Sequence, residues 1–278
     1  MRCIAALALV ALLAACAPPA RDILGDQSDA GAAELDAIAS APPQRDTSAL
    51  RSAVEGAIGS FDGHASIWVS DPARPGPLFA ANADEQVLSA SLYKLGILVR
   101  AETLIDQGKL RPADALEGTD LTVEDALEAM IVSSDNDASL ALLMKFGPAS
   151  VNASLRKERI PGLLLAEDDG DNVATARGVG TLFTRLALRR LVSPAASDRM
   201  IARLSRVQNR DRLPAKLPDG TRVAHKTGDL DAVVHDAGIV FTPAGPRVVV
   251  VLTWDAGVDQ ANELIARVAR TVYDDATR

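Results

Sequence analysis

Three short strings put a serine, two lysines and a second serine beside an amide in an order that can do acyl-transfer chemistry. They are Ser91-Leu92-Tyr93-Lys94, then Ser134-Asp135-Asn136, then Lys226-Thr227-Gly228. A serine hydroxyl is a poor nucleophile until a base takes its proton. A lysine three residues on along a helix shares the serine's face, roughly 5–6 Å away at Cβ. It becomes a base if burial or a second ammonium lowers its pKa, and Lys226 is the candidate second ammonium. A serine at a helix N-terminus also has unpaired backbone N–H groups around it, which with the helix dipole suit a developing oxyanion.

The strings differ in weight. A Ser-x-x-Lys pair should arise roughly once by chance in a chain this long. It does recur at Ser154 and Lys157, inside the charged run Arg156-Lys157-Glu158-Arg159, and there it reads as solvated surface. Each exact tripeptide has a chance expectation of roughly 0.05, so the ordered set says more than its members. Alone, Ser134-Asp135-Asn136 also reads as a helix N-cap turn, and Lys226-Thr227-Gly228 as a strand end before a bend. The histidines His64, His225 and His235 are not spaced as a metal cluster, and no metal or cofactor is expected. Gly178-Val179-Gly180 follows no strand and is not read as a phosphate loop.

The elements that must position these residues follow from periodicity. Leu50, Val54 and Ile58 mark a helix over 47–58, and alternation around Ile67 and Val69 marks a strand over 64–70. A turn at 72–77 precedes a short strand over 78–81. An apolar helix runs over 91–107. A second covers 121–132, with Thr122 and Asp125 placed like a capping box. A third covers 137–146 and stops at Gly147-Pro148. Helices near 149–158, 175–192 and 195–207 follow. Strands are then expected over 222–226, 237–241 and 247–254, the last two joined through Pro243 and Gly245. Asp255 is placed to cap a final helix whose Leu264, Ile265, Val268 and Val272 share one face. Strands lie at both ends and helices between, without sequential βαβ units. The pattern predicts an α/β protein of the α+β kind, with one antiparallel sheet formed by both termini plus an all-helical lobe.

Of the 278 residues 48% are apolar but only 3% aromatic, so the core must be built from Ala, Leu, Val and Ile. The net charge of -8 argues against nucleic acid as a partner. Both cysteines, Cys3 and Cys16, fall in the first 16 residues, so the body has no disulfide. Arg2 followed by the apolar run Ile4 to Ala15 reads as a signal peptide. Leu13-Ala14-Ala15-Cys16 resembles the lipobox of bacterial lipoproteins, with Cys16 as the lipidation site; ordinary cleavage nearby is the alternative. The anchored form would sit on the periplasmic side, on the outer membrane in a diderm host because Ala17 rather than Asp follows the cysteine. Residues 17–46, rich in Ala, Pro, Asp, Gly and Ser, read as a tether to a domain at 47–278. The protein is expected to be a monomer.

From Val87 to the C-terminus, about two-thirds of the chain, the motif order resembles class A β-lactamases and their penicillin-binding relatives. The stretches Leu88 to Leu95, Met130 to Asn136 and Leu213 to Gly228 look like that family's first, second and third motifs. The resemblance implies a β-lactamase/transpeptidase-like fold and gives each residue a role. Ser91 is the nucleophile, Lys94 its activating partner and Ser134 the proton relay to the leaving amine. Asn136 holds the substrate amide, Lys226 and Thr227 of the Lys226-Thr227-Gly228 motif bind the substrate carboxylate, and the backbone N–H groups of Ser91 and Asp229 form the oxyanion hole.

The chain also departs from the family. Class A enzymes carry Glu-x-x-Leu-Asn on the loop between the second and third motifs, and its glutamate activates the deacylating water. Here the region reads Leu163-Leu164-Leu165-Ala166-Glu167-Asp168-Asp169-Gly170-Asp171-Asn172, shorter and without the Leu-Asn pair. Glu167 is the candidate base if the apolar run buries it; a solvated acidic turn is the alternative. No arginine aimed at a carboxylate is evident near Val234 to Gly238. Three functions remain: a class A β-lactamase, a penicillin-binding enzyme acting on peptidoglycan peptides with slow deacylation, and an idle β-lactam-binding sensor domain. Only the last lacks chemistry, and the intact trio argues against it.

Overall fold

The computed structural model describes residues 46–278. The expected signal peptide with Cys16, and the tether up to Gln44 and Arg45, lie outside the described residues. In chain order the helices are α1 (Ser48–Gly59), α2 (Lys94–Asp106), α3 (Val123–Val132), α4 (Asn136–Phe146), α5 (Pro148–Lys157), α6 (Ala176–Ala187), α7 (Pro194–Leu204) and α8 (Val258–Ala276). The strands are β1 (His64–Ser70), β2 (Phe79–Ala81), β3 (Val87–Leu88), β4 (Leu163–Leu164), β5 (Val173–Ala174), β6 (Val223–Leu230), β7 (Val233–Thr242) and β8 (Gly245–Trp254).

The main sheet has the order β2-β1-β8-β7-β6, every neighbour antiparallel. Its strands come from both ends of the domain, and the helices between them form the second lobe, as the periodicity required. The sheet is covered on both faces. Ile67, Val69, Val249 and Val251 pack with Leu50 and Val54 of α1 and with Leu264, Ile265 and Val268 of α8. Val248, Val250, Leu252 and Trp68 pack with the helical lobe, including Val179 and Phe183 of α6. Burial from both sides explains why β1 is buried at all but its first residue rather than at alternate ones.

Local chemistry sets the helix starts. Thr122 and Asp125 form a reciprocal capping box, with Asp125 N–H donating to Thr122 Oγ1 and Thr122 N–H to Asp125 Oδ2, each at 3.2 Å. Asp135 caps α4, its carboxylate accepting from Ala138 N–H at 2.7 Å. Asp255, expected to cap α8, does not: it sits at φ 55° in the preceding bend, and Gly257 holds the N-cap position. The glycines of Gly178-Val179-Gly180 serve packing, since a Cβ would meet Pro161 O at 1.9 Å from Gly178 and the Trp68 ring at 2.3 Å from Gly180.

Two features carry the site and were not expected. A second sheet, β3-β5-β4, joins the strand before Ser91 to both ends of the loop that holds Glu167. The β6–β7 hairpin turns on two residues, Asp231 and Ala232, so Lys226-Thr227-Gly228 lies inside an eight-residue edge strand rather than at a strand end.

Candidate active site

Ser91 lies in a 3₁₀ turn, Ala90–Tyr93, that passes directly into α2 at Lys94. Side chains at i and i+3 eclipse in a 3₁₀ turn, so Lys94 follows Ser91 on one face even though the α-helix begins only at the lysine. The turn is strained, with Ala90 at φ 44°, a conformation held only where the surroundings over-determine it. Two clamps do so. Ser89 N–H donates to Asn172 O at 2.8 Å, and Leu88 O accepts from His235 Nε2 at 2.8 Å. His235 is fully buried, and its Nδ1 accepts from Thr253 N–H at 3.1 Å. The tautomer follows: Nδ1 must be bare and Nε2 must carry the proton. Burial holds this imidazole's pKa below its ordinary value, which keeps it neutral.

The second motif approaches from the α3–α4 connection. Asp135 is spent on the α4 cap, which turns its neighbours inward. Lys94 Nζ donates to Ser134 O at 2.6 Å, to Asn136 Oδ1 at 2.7 Å and to Ser134 Oγ at 3.3 Å. Lys226 Nζ donates to the same Ser134 Oγ at 2.9 Å and to Thr227 O at 2.9 Å. Ser134 itself is held at φ 60°. Three hydrogen bonds from ammonium groups offset that strain, since charge-assisted bonds are the strong ones.

Both lysine side chains are fully buried. Burial brings Lys94 down from 10.5 to about 8, opposed by the Asp135 carboxylate. Burial first, and then the Lys94 charge, bring Lys226 down to about 7, opposed by Asp236 and Asp229. The second-ammonium effect expected on Lys94 therefore acts chiefly on Lys226. With a lysine on each lone pair, Ser134 Oγ–H is left to point into the cleft. Lys94 Nζ is committed to Ser134 and Asn136, not hydrogen-bonded to Ser91 Oγ.

The third motif closes the site from the sheet edge. A Cβ on Gly228 would sit 3.1 Å from Ala90 Cβ and 3.3 Å from Ser91 N, so a side chain there would push β6 and the Ser91 turn apart by a few tenths of an ångström. The two-residue hairpin makes Leu230–Val233 the hydrogen-bonded closing pair. Alternation along an antiparallel ladder then turns the backbone groups of Thr227 and Asp229 away from β7, toward the free edge. Asp229 N–H and Ser91 N–H thus flank the same opening.

Sequence reasoning missed Arg212, on the loop before β6. Its side chain is buried, and its Nε donates to Asn262 Oδ1 of α8 at 2.9 Å. Nη1 donates to His235 O at 2.9 Å, Gly228 O at 3.4 Å and Asp229 Oδ2 at 3.2 Å, and Nη2 pairs with Asp229 Oδ1. The loop is pinned by Leu213 N–H donating to Asp236 Oδ2 at 3.0 Å, while the buried Asp236 also holds His225 Nδ1 at 2.9 Å. An arginine 14 residues before the motif has no periodic signature, and only its long-range partners reveal it.

Of the two alternatives for Glu167, the structure shows the solvated one. Glu167 is exposed on the β4–β5 loop, so the apolar run Leu163–Leu165 does not bury it. Its Oε1 accepts from Asn152 Nδ2 at 3.0 Å, and the buried Asn152 also fixes both backbone groups of Leu165. Asn172, at the end of this loop, links it to the Ser91 turn through Ser89 and accepts from Ala166 N–H.

A family model described as "Beta-lactamase enzyme family" matches residues 49–276, nearly the whole described domain. The chain belongs to the beta-lactamase enzyme family. A β-lactamase of Streptomyces albus G is 31% identical over 177 residues. That match spans 57% of this chain and 56% of the relative, so the chain covers about half the length of that curated relative. The crystal structure of a β-lactamase from Sphaerobacter thermophilus is similar at a TM-score of 0.74 and 25% identity, covering 84% of this chain and 98% of that one. The structure of PBP-A is similar at a TM-score of 0.75 and 25% identity, with the same coverage. This β-lactamase family member has the mixed, antiparallel-sheet fold of those structures.

Proposed function

We propose that the chain is a serine β-lactamase of class A type that opens the β-lactam amide through an acyl-enzyme on Ser91. The observation that carries this reading is the pair of buried lysines meeting on Ser134 Oγ. With a pKa near 8, Lys94 has a neutral fraction at neutral pH that can take the Ser91 proton. Ser91 Oγ bonds to the lactam carbonyl carbon, the negative charge develops on the carbonyl oxygen, and the N–H groups of Ser91 and Asp229 stabilise it. As the C–N bond breaks, Ser134 gives its proton to the departing nitrogen and is resupplied by a lysine. Asn136 Oδ1 is taken by Lys94, which leaves its Nδ2 to donate to the substrate amide. Thr227, Lys226 and Arg212 line the side suited to the substrate carboxylate. Glu167, through one water, is the candidate base for hydrolysis of the ester.

A second reading is a penicillin-binding enzyme that acts on peptidoglycan peptides and deacylates slowly. The exposure of Glu167 on a short loop and the likeness to PBP-A favour it. Incubation with a fluorescent penicillin and a chromogenic cephalosporin separates the two. The β-lactamase reading expects labelling of wild type, none of Ser91→Ala, and steady cephalosporin turnover. One turnover followed by a stall hands the site to the second reading; undiminished labelling of Ser91→Ala removes both. The sequence Leu13-Ala14-Ala15-Cys16 supports export and a lipid anchor on the periplasmic side, and labelled palmitate entering Cys16→Ser as it enters wild type would exclude the anchor.

A further inference from the structure

Thr227 and Asp229 stand two residues apart on β6, so their side chains project to the same side of the strand. That side holds Arg212, whose guanidinium is 3% exposed and already carries a carboxylate, that of Asp229, in a two-point pair. The other side of Arg212 is used by Asn262 Oδ1 and by the carbonyls of Gly228 and His235. The Asp229 side chain is 56% exposed, so the pair is open to solvent beside Thr227 rather than closed in the core. The wall that should attract an anion is therefore neutralised from within the chain.

We infer that Asp229 is a specificity-determining residue. Its carboxylate occupies Arg212 as an internal stand-in for a substrate carboxylate, and it biases the site toward ligands that are neutral at that position. The inference rests on the acylation reading, because that reading brings a substrate carboxylate to Thr227. An incoming carboxylate has two options. It displaces Asp229 from Arg212, which leaves two anions side by side, or it binds at Thr227 Oγ about one two-residue strand repeat, roughly 7 Å, from the Asp229 charge. Either way it meets one like charge, which is worth roughly tenfold in binding at this distance and partial exposure.

The test compares a chromogenic cephalosporin bearing its free carboxylate with the methyl ester of the same compound. The readout is the acid-to-ester ratio of kcat/KM, so general damage to the oxyanion hole cancels. Asp229→Asn and Asp229→Ser should each raise the ratio about tenfold, mainly through KM of the acid, and the rise should shrink in high salt. Asp229→Glu, which keeps the charge, should stay near the wild-type ratio. A ratio that is unchanged or falls in both neutral variants overturns the inference. The same ratio is read as equilibrium binding to Ser91→Ala protein, where no turnover is needed. Failure of wild type to be acylated would sink the acylation reading, whereas an acid-to-ester binding ratio indifferent to Asp229→Asn would sink this one.

Discussion

Lys226→Met should make the protein more stable at pH 6 and less stable at pH 10, while abolishing most of its activity. Lys226 is fully buried and its pKa is brought from 10.5 to about 7 by burial and by Lys94. A base whose folded pKa lies below its unfolded value binds fewer protons when folded, so stability rises with pH between the two values. The cost of burying the charge is complete below about pH 7, fades through the window up to 10.5, and is gone above it. The ceiling of that cost is about 5 kcal/mol, from a gap of about 3.5 units at 1.36 kcal/mol each. Methionine removes the cost but also the amine's bonds to Ser134 Oγ and Thr227 O, worth about 1 kcal/mol each. The variant should thus gain about 3 kcal/mol at pH 6, cross wild type near pH 9, and lose about 1 kcal/mol at pH 10, where a little of the burial cost still remains. Urea denaturation of both proteins at half-unit steps from pH 6 to pH 10 reads this directly. A difference that stays flat across the window, or a variant already weaker than wild type at pH 6, would refute the assignment of a depressed, buried ammonium.

Two further outcomes follow from the same geometry. Glu167→Gln should keep a fast acylation burst and lose steady turnover by roughly 10²–10⁴-fold, the worth of a general base; normal turnover in stopped-flow measurements, with Asp168→Asn or Asp169→Asn stalling instead, would move the base along the loop. His235→Ala should unclamp Leu88 O and orphan Thr253 N–H, costing about 3 kcal/mol of stability in urea and slowing acylation by up to about 10²-fold through a displaced Ser91, and an unchanged single-turnover labelling rate would show that the clamp does not position the nucleophile.

What the sequence made legible was what short-range physics encodes. The capping box at Thr122 and Asp125, the stop at Gly147-Pro148 and the apolar face of α8 each depend on neighbours within a few residues. The two-residue strands β3, β4 and β5 are too short to carry a period, so the sheet that ties Leu88 to Val173 was invisible. Arg212 was missed because all its acceptors lie on β6, β7 and α8. Burial of Glu167 was left open because an apolar run says that Leu163 and Leu165 go inside, and nothing about the acidic residues that follow them. β6 was ended too early and β7 started too late where Asp229 and His235 interrupt the apolar pattern, and those positions line or brace the site, whereas β8 was short only by the turn residues Gly245 and Pro246.

The strand order has a temporal consequence. β1 pairs along its whole length with β8, His64 opposite Trp254 and Ser70 opposite Val248. A chain that emerges amino end first must therefore hold β1 unpaired on that edge until the last strand has appeared. The segments that build the nucleophile turn and its helices arrive long before that, but β6, which closes the cleft, joins β1 only through β7 and β8. Such non-local pairing makes for slow folding. A nascent chain stalled before Gly245 would carry Ser91, Lys94, Ser134 and Lys226 yet lack the strand that joins its two ends, so catalytic competence should appear late and all at once.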